Sequence, residues 1–183
     1  MVKTLSKLLY FFALFSFVEA YAEDNKPILN QGNKNIISKY FDEINLIGQA
    51  NYSFMFWNVY DAQLYSNQKQ FDKNNFALIL KYNKNIKKET LVKETINDMK
   101  DQKQLSKEKI DEWTKVFESI FKSTKIGSRF LGIKINENKS IFYYDEKKIF
   151  ESEDQEFGDL FFNIWLRPDS KSPEFSKKLL GEL

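Results

Sequence analysis

Two segments of the chain alternate apolar and polar residues with the period of a β-strand. Residues 53–65 (SFMFWNVYDAQLY) are apolar on both faces in their first half. A strand that is apolar on both faces is typical of the middle of a sheet, so we expect one long central strand here. Residues 75–82 (NFALILKY) repeat the period-two pattern and predict a second strand.

The period then lengthens to that of amphipathic helices. Residues 91–99 carry apolar side chains at helical spacing, and residues 110–121 keep the i, i+3, i+4, i+7 register. Ser106 is placed to cap the second of these helices, which we expect to end before Gly127.

Two further helices are predicted near the C-terminus. The run Ser152-Glu153-Asp154-Gln155 matches a capping box and begins a helix that Pro168 ends. Its apolar stripe contains Phe157, Phe161 and Trp165, which would pack in the core or form the wall of a ligand pocket. The pair Ser172-Pro173 begins the last helix, with a cap residue followed by proline at the first helical position.

Between these helix pairs, residues 128–151 indicate three short strands separated by turn-like segments at 136–139 and 145–147. Strands and helices therefore occur in clusters rather than in strict alternation. This order predicts the α+β class with a large, mainly antiparallel β-sheet. Residues 23–43 begin with a polar, Asn-rich stretch and predict a leader or a loose first strand, and residues 44–183 would form one domain.

The N-terminus has the three parts of a secretory signal peptide. Lys3 and Lys7 form a basic region, residues 8–17 (LLYFFALFSF) are apolar, and Ala20-Tyr21-Ala22 supplies a small-x-small cleavage site. The apolar run is shorter than the about 20 residues of a permanent membrane span. We expect residues 1–22 to be removed after Ala22, which leaves a periplasmic protein without a stable membrane span. The alternative is a retained membrane anchor.

Composition narrows the possible chemistry. The chain has no His and no Cys, which excludes imidazole catalysis, thiolate nucleophiles and the metal sites built from these residues. We expect no cofactor and no metal. The net charge is only +2 and no long run has one sign, so nucleic-acid binding, which needs a basic stripe, is not expected. No feature of the sequence indicates a particular protein partner.

Several segments resemble the bacterial chalcone isomerase-like proteins, in particular their exported branch. They are FWNVYDAQLY (56–65), FALILKY (76–82) and IWLRPDSKSPEFSKKLLG (164–181), and the resemblance extends over residues 44–181. It implies the chalcone isomerase fold, a large antiparallel sheet with helices layered on one face and a small-molecule cleft between them. Plant members of this family close a flavanone ring, whereas related non-catalytic members bind fatty acids or assist other enzymes.

The resemblance also implies where the catalytic residues would lie. When Val59-Tyr60 is set on the family's VY, Tyr52 takes the place of the arginine that stabilises the developing negative charge. Met55 takes the place of a threonine that polarises the substrate ketone. The family's tyrosine and asparagine fall near Lys88 and Thr95. None of these residue types is kept, which puts plant-type isomerase activity in doubt.

Three residues are candidates through their own chemistry. The Tyr60 hydroxyl would hold a carboxylate or ketone, or lie at the rim of the core. The Asn58 amide would line a polar cleft or satisfy a local bulge. Arg129 would pair with a fatty-acid carboxylate or lie solvated at a strand end. The candidate ligand contacts are therefore Tyr52, Met55, Asn58, Tyr60, Lys88, Thr95 and Arg129.

These observations predict an exported, non-catalytic protein that binds a fatty acid or a similar amphipathic molecule between sheet and helices. Two alternatives stay open. One is an isomerase or lyase for another enone or phenolic substrate, using Tyr52, Lys88 or Arg129. The other is an envelope protein that binds another protein through a sheet edge or an exposed apolar patch, and it would have a filled core.

Overall fold

The structure is a computed structural model that describes residues 27–183. The predicted signal peptide and the first residues of the predicted leader lie outside the described residues.

Six strands form one sheet in which each strand pairs antiparallel with its neighbour in chain order. The predicted strand at 75–82 and the predicted three-stranded segment at 128–151 are confirmed. The strands are β1 (Asn45–Phe54), β2 (Trp57–Ser66), β3 (Asn75–Tyr82), β4 (Arg129–Ile135), β5 (Lys139–Tyr144) and β6 (Lys147–Ser152).

The single long strand predicted at residues 53–65 is wrong, because a tight turn at Met55 and Phe56 divides it. Phe54 ends β1 and pairs with Trp57 at the start of β2. Met55 has a φ of 56°, in the left-handed region that short hairpin turns use. The turn has no Asn-Gly pair to mark it in the sequence, and apolar residues continue through it. The segment is therefore apolar on both faces because it forms the exposed end of a hairpin, not because it is a central strand.

Within residues 27–183, five helices accompany the sheet. Four of them pack on one face, as expected for the fold class, while α1 packs on the other face. Helix α1 lies in the segment for which the sequence indicated a leader or a loose strand. The helices are α1 (Gln31–Ile37), α2 (Lys88–Gln102), α3 (Lys107–Ile120), α4 (Gln155–Leu166) and α5 (Pro173–Leu179).

Helix caps follow the sequence with two corrections, one of which is that Ser172, before Pro173 at the start of α5, makes no side-chain capping hydrogen bond. The Ser106 side chain accepts a hydrogen bond from the Lys109 amide at 3.3 Å and caps α3 as predicted. Helix α4 is capped by Asp154, not Ser152: the Asp154 carboxylate accepts from the Phe157 amide at 3.2 Å. The Ser152 hydroxyl instead accepts from the Asp154 amide at 3.1 Å, just before the helix begins.

Alternation along the strands divides the core in two. On β3, Leu78 and Leu80 face α2–α5, whereas Ile79 faces α1. The larger core is rich in phenylalanine: the rings of Phe142 and Phe161 meet edge to face with centroids 5.0 Å apart. Within residues 27–183, no helix has the length and apolar character needed to cross a membrane.

Candidate functional site

A cavity of about 520 Å³ lies between the sheet and the helices, within the usual range of small-molecule sites. It lies over the end of the sheet that carries the β1–β2 turn. Strands β1 to β6 all contribute to its floor, helices α2, α4 and α5 form much of its roof, and most of its lining is apolar. Side chains central to the lining are Tyr52, Tyr60, Leu80, Tyr82, Leu91, Thr95, Phe130, Ile164, Trp165 and Phe175.

Strand register places three tyrosines side by side on the cavity floor. Tyr52 pairs with Tyr60 across β1 and β2, and Tyr60 pairs with Tyr82 across β2 and β3. Residues that pair directly in antiparallel strands face the same side. The Tyr52 and Tyr60 rings therefore stack with centroids 4.9 Å apart, and the Phe175 ring meets both edge-on at 6.0 Å.

The buried hydroxyls of this row are neutral hydrogen-bonding groups. The Tyr60 oxygen accepts a hydrogen bond from Trp165 Nε1 at 3.0 Å, so its own proton remains available to a further acceptor. Burial raises the pKa of both Tyr60 and Tyr82 above the ordinary tyrosine value. At neutral pH these side chains donate hydrogen bonds and do not supply a phenolate base.

Four charged residues line the rim, and two of them are compensated by ion pairs within residues 27–183. Asp98 accepts from Arg167 Nη1 at 2.5 Å and lies 3.5 Å from Lys171 Nζ, which also pairs with Asp101 at 3.0 Å. Lys122 is exposed and lines the cavity. It has no ion-pair partner within the part of the chain that the structure describes.

A family model described as chalcone isomerase-like matches residues 9–181. The chain belongs to the chalcone isomerase-like family. The crystal structure of a fatty-acid binding protein from Arabidopsis thaliana superposes with a TM-score of 0.58 at 9% sequence identity, covering 76% of this chain and 88% of that one. At this identity the likeness shows the shared chalcone isomerase fold alone. No curated protein sequence matches the chain.

Three of the seven predicted ligand contacts line the cavity of this chalcone isomerase-like chain: Tyr52, Tyr60 and Thr95. Tyr52, which the resemblance sets at the position of the family's arginine, lies on the floor. Thr95 belongs to α2 and lies in the roof. The structure therefore brings these two residues to one cavity, although they lie 43 positions apart in the sequence.

Met55 and Asn58 lie outside the cavity lining. Met55 occupies the hairpin turn, where its side chain is exposed. Asn58 Nδ2 donates to Asp61 at 2.9 Å, and Asp61 also accepts from the amides of Asn51 and Asn83 at 2.6 and 2.9 Å. Burial alone would raise the Asp61 pKa, but these three hydrogen bonds outweigh burial and lower it. Asn58 thus belongs to a polar cluster at the base of the hairpin.

Lys88 and Arg129 also lie away from this cavity. Lys88 Nζ donates to the Glu118 carbonyl at 3.0 Å, beside a second, more open cavity of about 480 Å³ between α2 and α3. Arg129 donates from Nε to the Ile28 carbonyl at 3.1 Å and from Nη2 to the Pro27 carbonyl at 3.0 Å. Arg129 holds the N-terminal segment rather than an anion in the cavity.

Sequence reasoning missed several residues that line the cavity. Tyr82 ends the FALILKY strand in phase with Leu78 and Leu80, so the period-two pattern placed it on the core face without indicating an open space beside it. Lys122 lies in an ordinary polar stretch after α3, and nothing in its sequence context distinguishes it from other lysines. Trp165 belongs to the predicted stripe of α4, for which the sequence favoured the core over a pocket wall, and together with Phe161 it lines the cavity.

Proposed function

We propose that this chain is an exported, non-catalytic member of the chalcone isomerase-like family that holds a fatty acid or a similar amphipathic molecule. The observation that carries the proposal is a largely apolar cavity with one uncompensated lysine at its rim. The hydrocarbon part of the ligand would lie against Tyr52, Tyr60 and Phe175. The Arabidopsis protein with the same fold is a fatty-acid binding protein, which supports this ligand class.

The rim suggests how the ligand is oriented. Lys122 would pair with the carboxylate, because the Lys171 and Arg167 cations are already matched by Asp98 and its neighbour Asp101. Glu94 also lines the rim and is exposed, so an anionic headgroup would avoid that side. The neutral hydroxyls of the tyrosine row offer hydrogen-bond donors deeper in the cavity.

The same arrangement argues against plant-type ring closure. That reaction places negative charge on a substrate oxygen, which the arginine of the catalytic family members stabilises as a cation inside the site. Lys88 and Arg129 do not line the cavity, and Tyr52 stands at the arginine position. Buried Tyr60 and Tyr82 stay protonated, so they would not act as the base that generates a phenolate.

Native mass spectrometry of protein purified from cells tests the ligand class. A bound lipid or aromatic acid in stoichiometric amount, identified after extraction, supports the proposal. The delipidated protein is then titrated with palmitate. A mass that stays unliganded before and after this challenge contradicts the proposal.

Matched variants test the cavity and its anchor. Thr95→Trp places a large side chain in the cavity and should abolish palmitate binding, while Lys100→Trp on the exposed face of α2 should not. Lys122→Gln should weaken palmitate binding about fivefold but leave the matching long-chain alcohol unaffected. Lys125→Gln, an exposed lysine outside the lining, is the control. Equal losses for acid and alcohol would contradict the carboxylate anchor.

The exported location is part of the proposal and rests on the signal-peptide pattern of residues 1–22. Intact mass spectrometry of the protein recovered from a periplasmic fraction should give an N-terminus at Glu23. Recovery of the chain with residues 1–22 still attached would contradict cleavage and favour a retained anchor.

A further inference from the structure

The tip of the β1–β2 hairpin, residues 54–57, exposes four large apolar side chains in succession. Phe54 is 61% exposed, Met55 78%, Phe56 99% and Trp57 61%. Single exposed apolar residues are common on proteins, but a contiguous group of this kind marks an interaction site.

The tip projects beyond the rest of the sheet. Tyr60 pairs with Tyr82, the last residue of β3, and the Asn83 amide still donates to the Val59 carbonyl at 2.8 Å. Phe56 lies four residues past Tyr60, about 13 Å along the strand. The tip is therefore a narrow finger rather than part of a flat surface.

The two loops beside the tip on the cavity side carry only basic charge. Two loops, residues 83–88 and 121–128, lie there and are joined by a hydrogen bond from the Thr124 amide to the Ile86 carbonyl at 2.9 Å. Lys84 Nζ lies 4.1 Å from the centre of the Trp57 ring. Neither loop contains Asp or Glu, and their charged residues are Lys84, Lys87, Lys88, Lys122 and Lys125.

Three of the four acidic residues near this end of the sheet accept hydrogen bonds from the protein itself. Asp61 accepts from three asparagine amides. Asp145 accepts from the Arg129 amide at 2.8 Å, and Glu146 accepts from Asn30 Nδ2 at 2.8 Å. Glu89, in the first turn of α2, is exposed and lies next to the basic loop.

We propose that the tip and its surrounding lysines dock the protein on an anionic lipid bilayer. Aromatic side chains beside lysines are typical of the membrane interface, where apolar groups enter the headgroup boundary and cations meet anionic lipids. The four side chains expose roughly a few hundred Å², less than the about 800 Å² per partner of a stable protein interface. A bilayer needs no such complementary area.

When the tip and the basic loops rest on the bilayer, the cavity opens next to the membrane surface. Phe54 belongs both to the tip and to the cavity lining, and Lys122 belongs both to the basic loops and to the rim. A molecule that leaves the bilayer would pass along Phe54 into the cavity. Docking itself rests on the tip and the lysines and does not depend on the identity of the cavity ligand.

Flotation with lipid vesicles tests the proposal. The protein sample has a single N-terminus, which is checked by intact mass spectrometry. It is mixed with phosphatidylcholine vesicles that contain about one anionic phosphatidylglycerol in three lipids, or with vesicles of phosphatidylcholine alone. We expect binding to the anionic vesicles that weakens with salt. Phe56→Ser should lower the partition coefficient about tenfold, whereas Leu46→Ser, an exposed apolar residue at the other end of β1, should not.

The contribution of the lysine charges to vesicle binding is tested with a second set of variants. Lys87→Gln and Lys125→Gln together should lower binding to the anionic vesicles more than tenfold, and Lys69→Gln, at the opposite end of the sheet, should leave it unchanged. Binding that survives Phe56→Ser would overturn the proposal, since another segment would then be the anchor. A tip that binds no vesicle but holds a dimer, which Phe56→Ser dissociates in sedimentation, would also overturn it.

The palmitate titration in solution keeps the two proposals apart. Phe56→Ser is expected to bind palmitate with unchanged affinity, because Phe56 does not line the cavity. Loss of vesicle binding with retained palmitate binding supports docking, and absent palmitate binding with retained vesicle binding would contradict only the proposed ligand.

Discussion

The indole Nε1 of Trp165 donates a hydrogen bond to the Tyr60 hydroxyl at 3.0 Å. These residues lie 105 positions apart in the sequence, and their bond ties α4 to the middle of the sheet across one wall of the cavity. The Tyr60 ring also stacks on Tyr52. Tyr60 is therefore at once a structural contact of the helix layer and part of the cavity floor.

Removing the Tyr60 hydroxyl should destabilise the fold. Tyr60→Phe leaves the Trp165 N–H without its partner in a largely buried position, which costs about 1–2 kcal/mol of unfolding free energy. Urea unfolding measures the change. Tyr65→Phe is the matched control from the opposite face of β2: its hydroxyl donates to Gln63 at 2.6 Å, beside solvent, and its loss should cost less. Equal losses would argue against a special role for the Tyr60–Trp165 bond.

The ion pair between Asp98 and Arg167 is the most buried acid–base pair at the cavity rim. Asp98→Ala would leave the largely buried Arg167 guanidinium with only the exposed Asp169 carboxylate at 3.5 Å. We expect a loss of about 3 kcal/mol in unfolding free energy. Asp101→Ala removes an exposed partner of Lys171 and should cost less than about 1 kcal/mol. Similar urea midpoints for the two variants would contradict this ranking.

Asp61 makes the hairpin sensitive to acid. Because its pKa is lower in the folded protein than in the unfolded chain, its stabilising contribution is complete above the unfolded value of about 3.9 and is lost as pH falls through the folded pKa. Asp61→Asn should therefore be less stable than the parent at pH 6, by about 1 kcal/mol given its partial exposure. That difference should shrink toward pH 3.

Chemical denaturation at both pH values checks this prediction. Asp42→Asn is the control, because Asp42 is exposed and makes no hydrogen bond or ion pair within residues 27–183. If the loss of unfolding free energy in Asp61→Asn is the same at pH 6 and pH 3, the carboxylate charge does not stabilise the cluster of Asp61 and its three asparagines.

Gly158 lies where α4 packs closely on β5. A Cβ at this position would lie 2.3 Å from the Ser140 hydroxyl and 3.1 Å from Lys134 Nζ, so Gly158→Ala should destabilise the protein by about 2 kcal/mol. The buried Ser140 hydroxyl has no hydrogen-bond partner among the described residues. Ser140→Ala should therefore be nearly neutral.

A double-mutant cycle tests the cause of this strain. Gly158→Ala combined with Ser140→Ala should recover about 1 kcal/mol or more relative to Gly158→Ala alone, because the nearest clashing atom is gone. Thermal or urea unfolding of the four proteins gives the coupling energy. If the free-energy changes of the two single substitutions simply add, the added methyl group clashes with another group, for instance Lys134.

Local patterns in the chain were enough to predict most of the elements. Residues 75–82 alternate at period two and form β3, Ser106 caps α3, and Pro173 begins α5. Strand alternation and helix starts depend on residues within a few positions of one another. The motifs at 56–65 and 164–181 similarly pointed to the chalcone isomerase-like family. The missing His and Cys exclude their chemistry in any fold.

Tertiary structure decided two features: the hairpin turn at Met55 and Phe56, and which residues line the cavity. A run that is apolar on both faces has the same pattern in a buried central strand and at a projecting tip, and only the end of β3 at Tyr82 leaves this tip exposed. Arg129 turns toward carbonyls some 100 residues away, while Lys122 is left at the rim. Such contacts are set by the packing of distant elements, and short-range sequence patterns carry no information about which distant groups will meet.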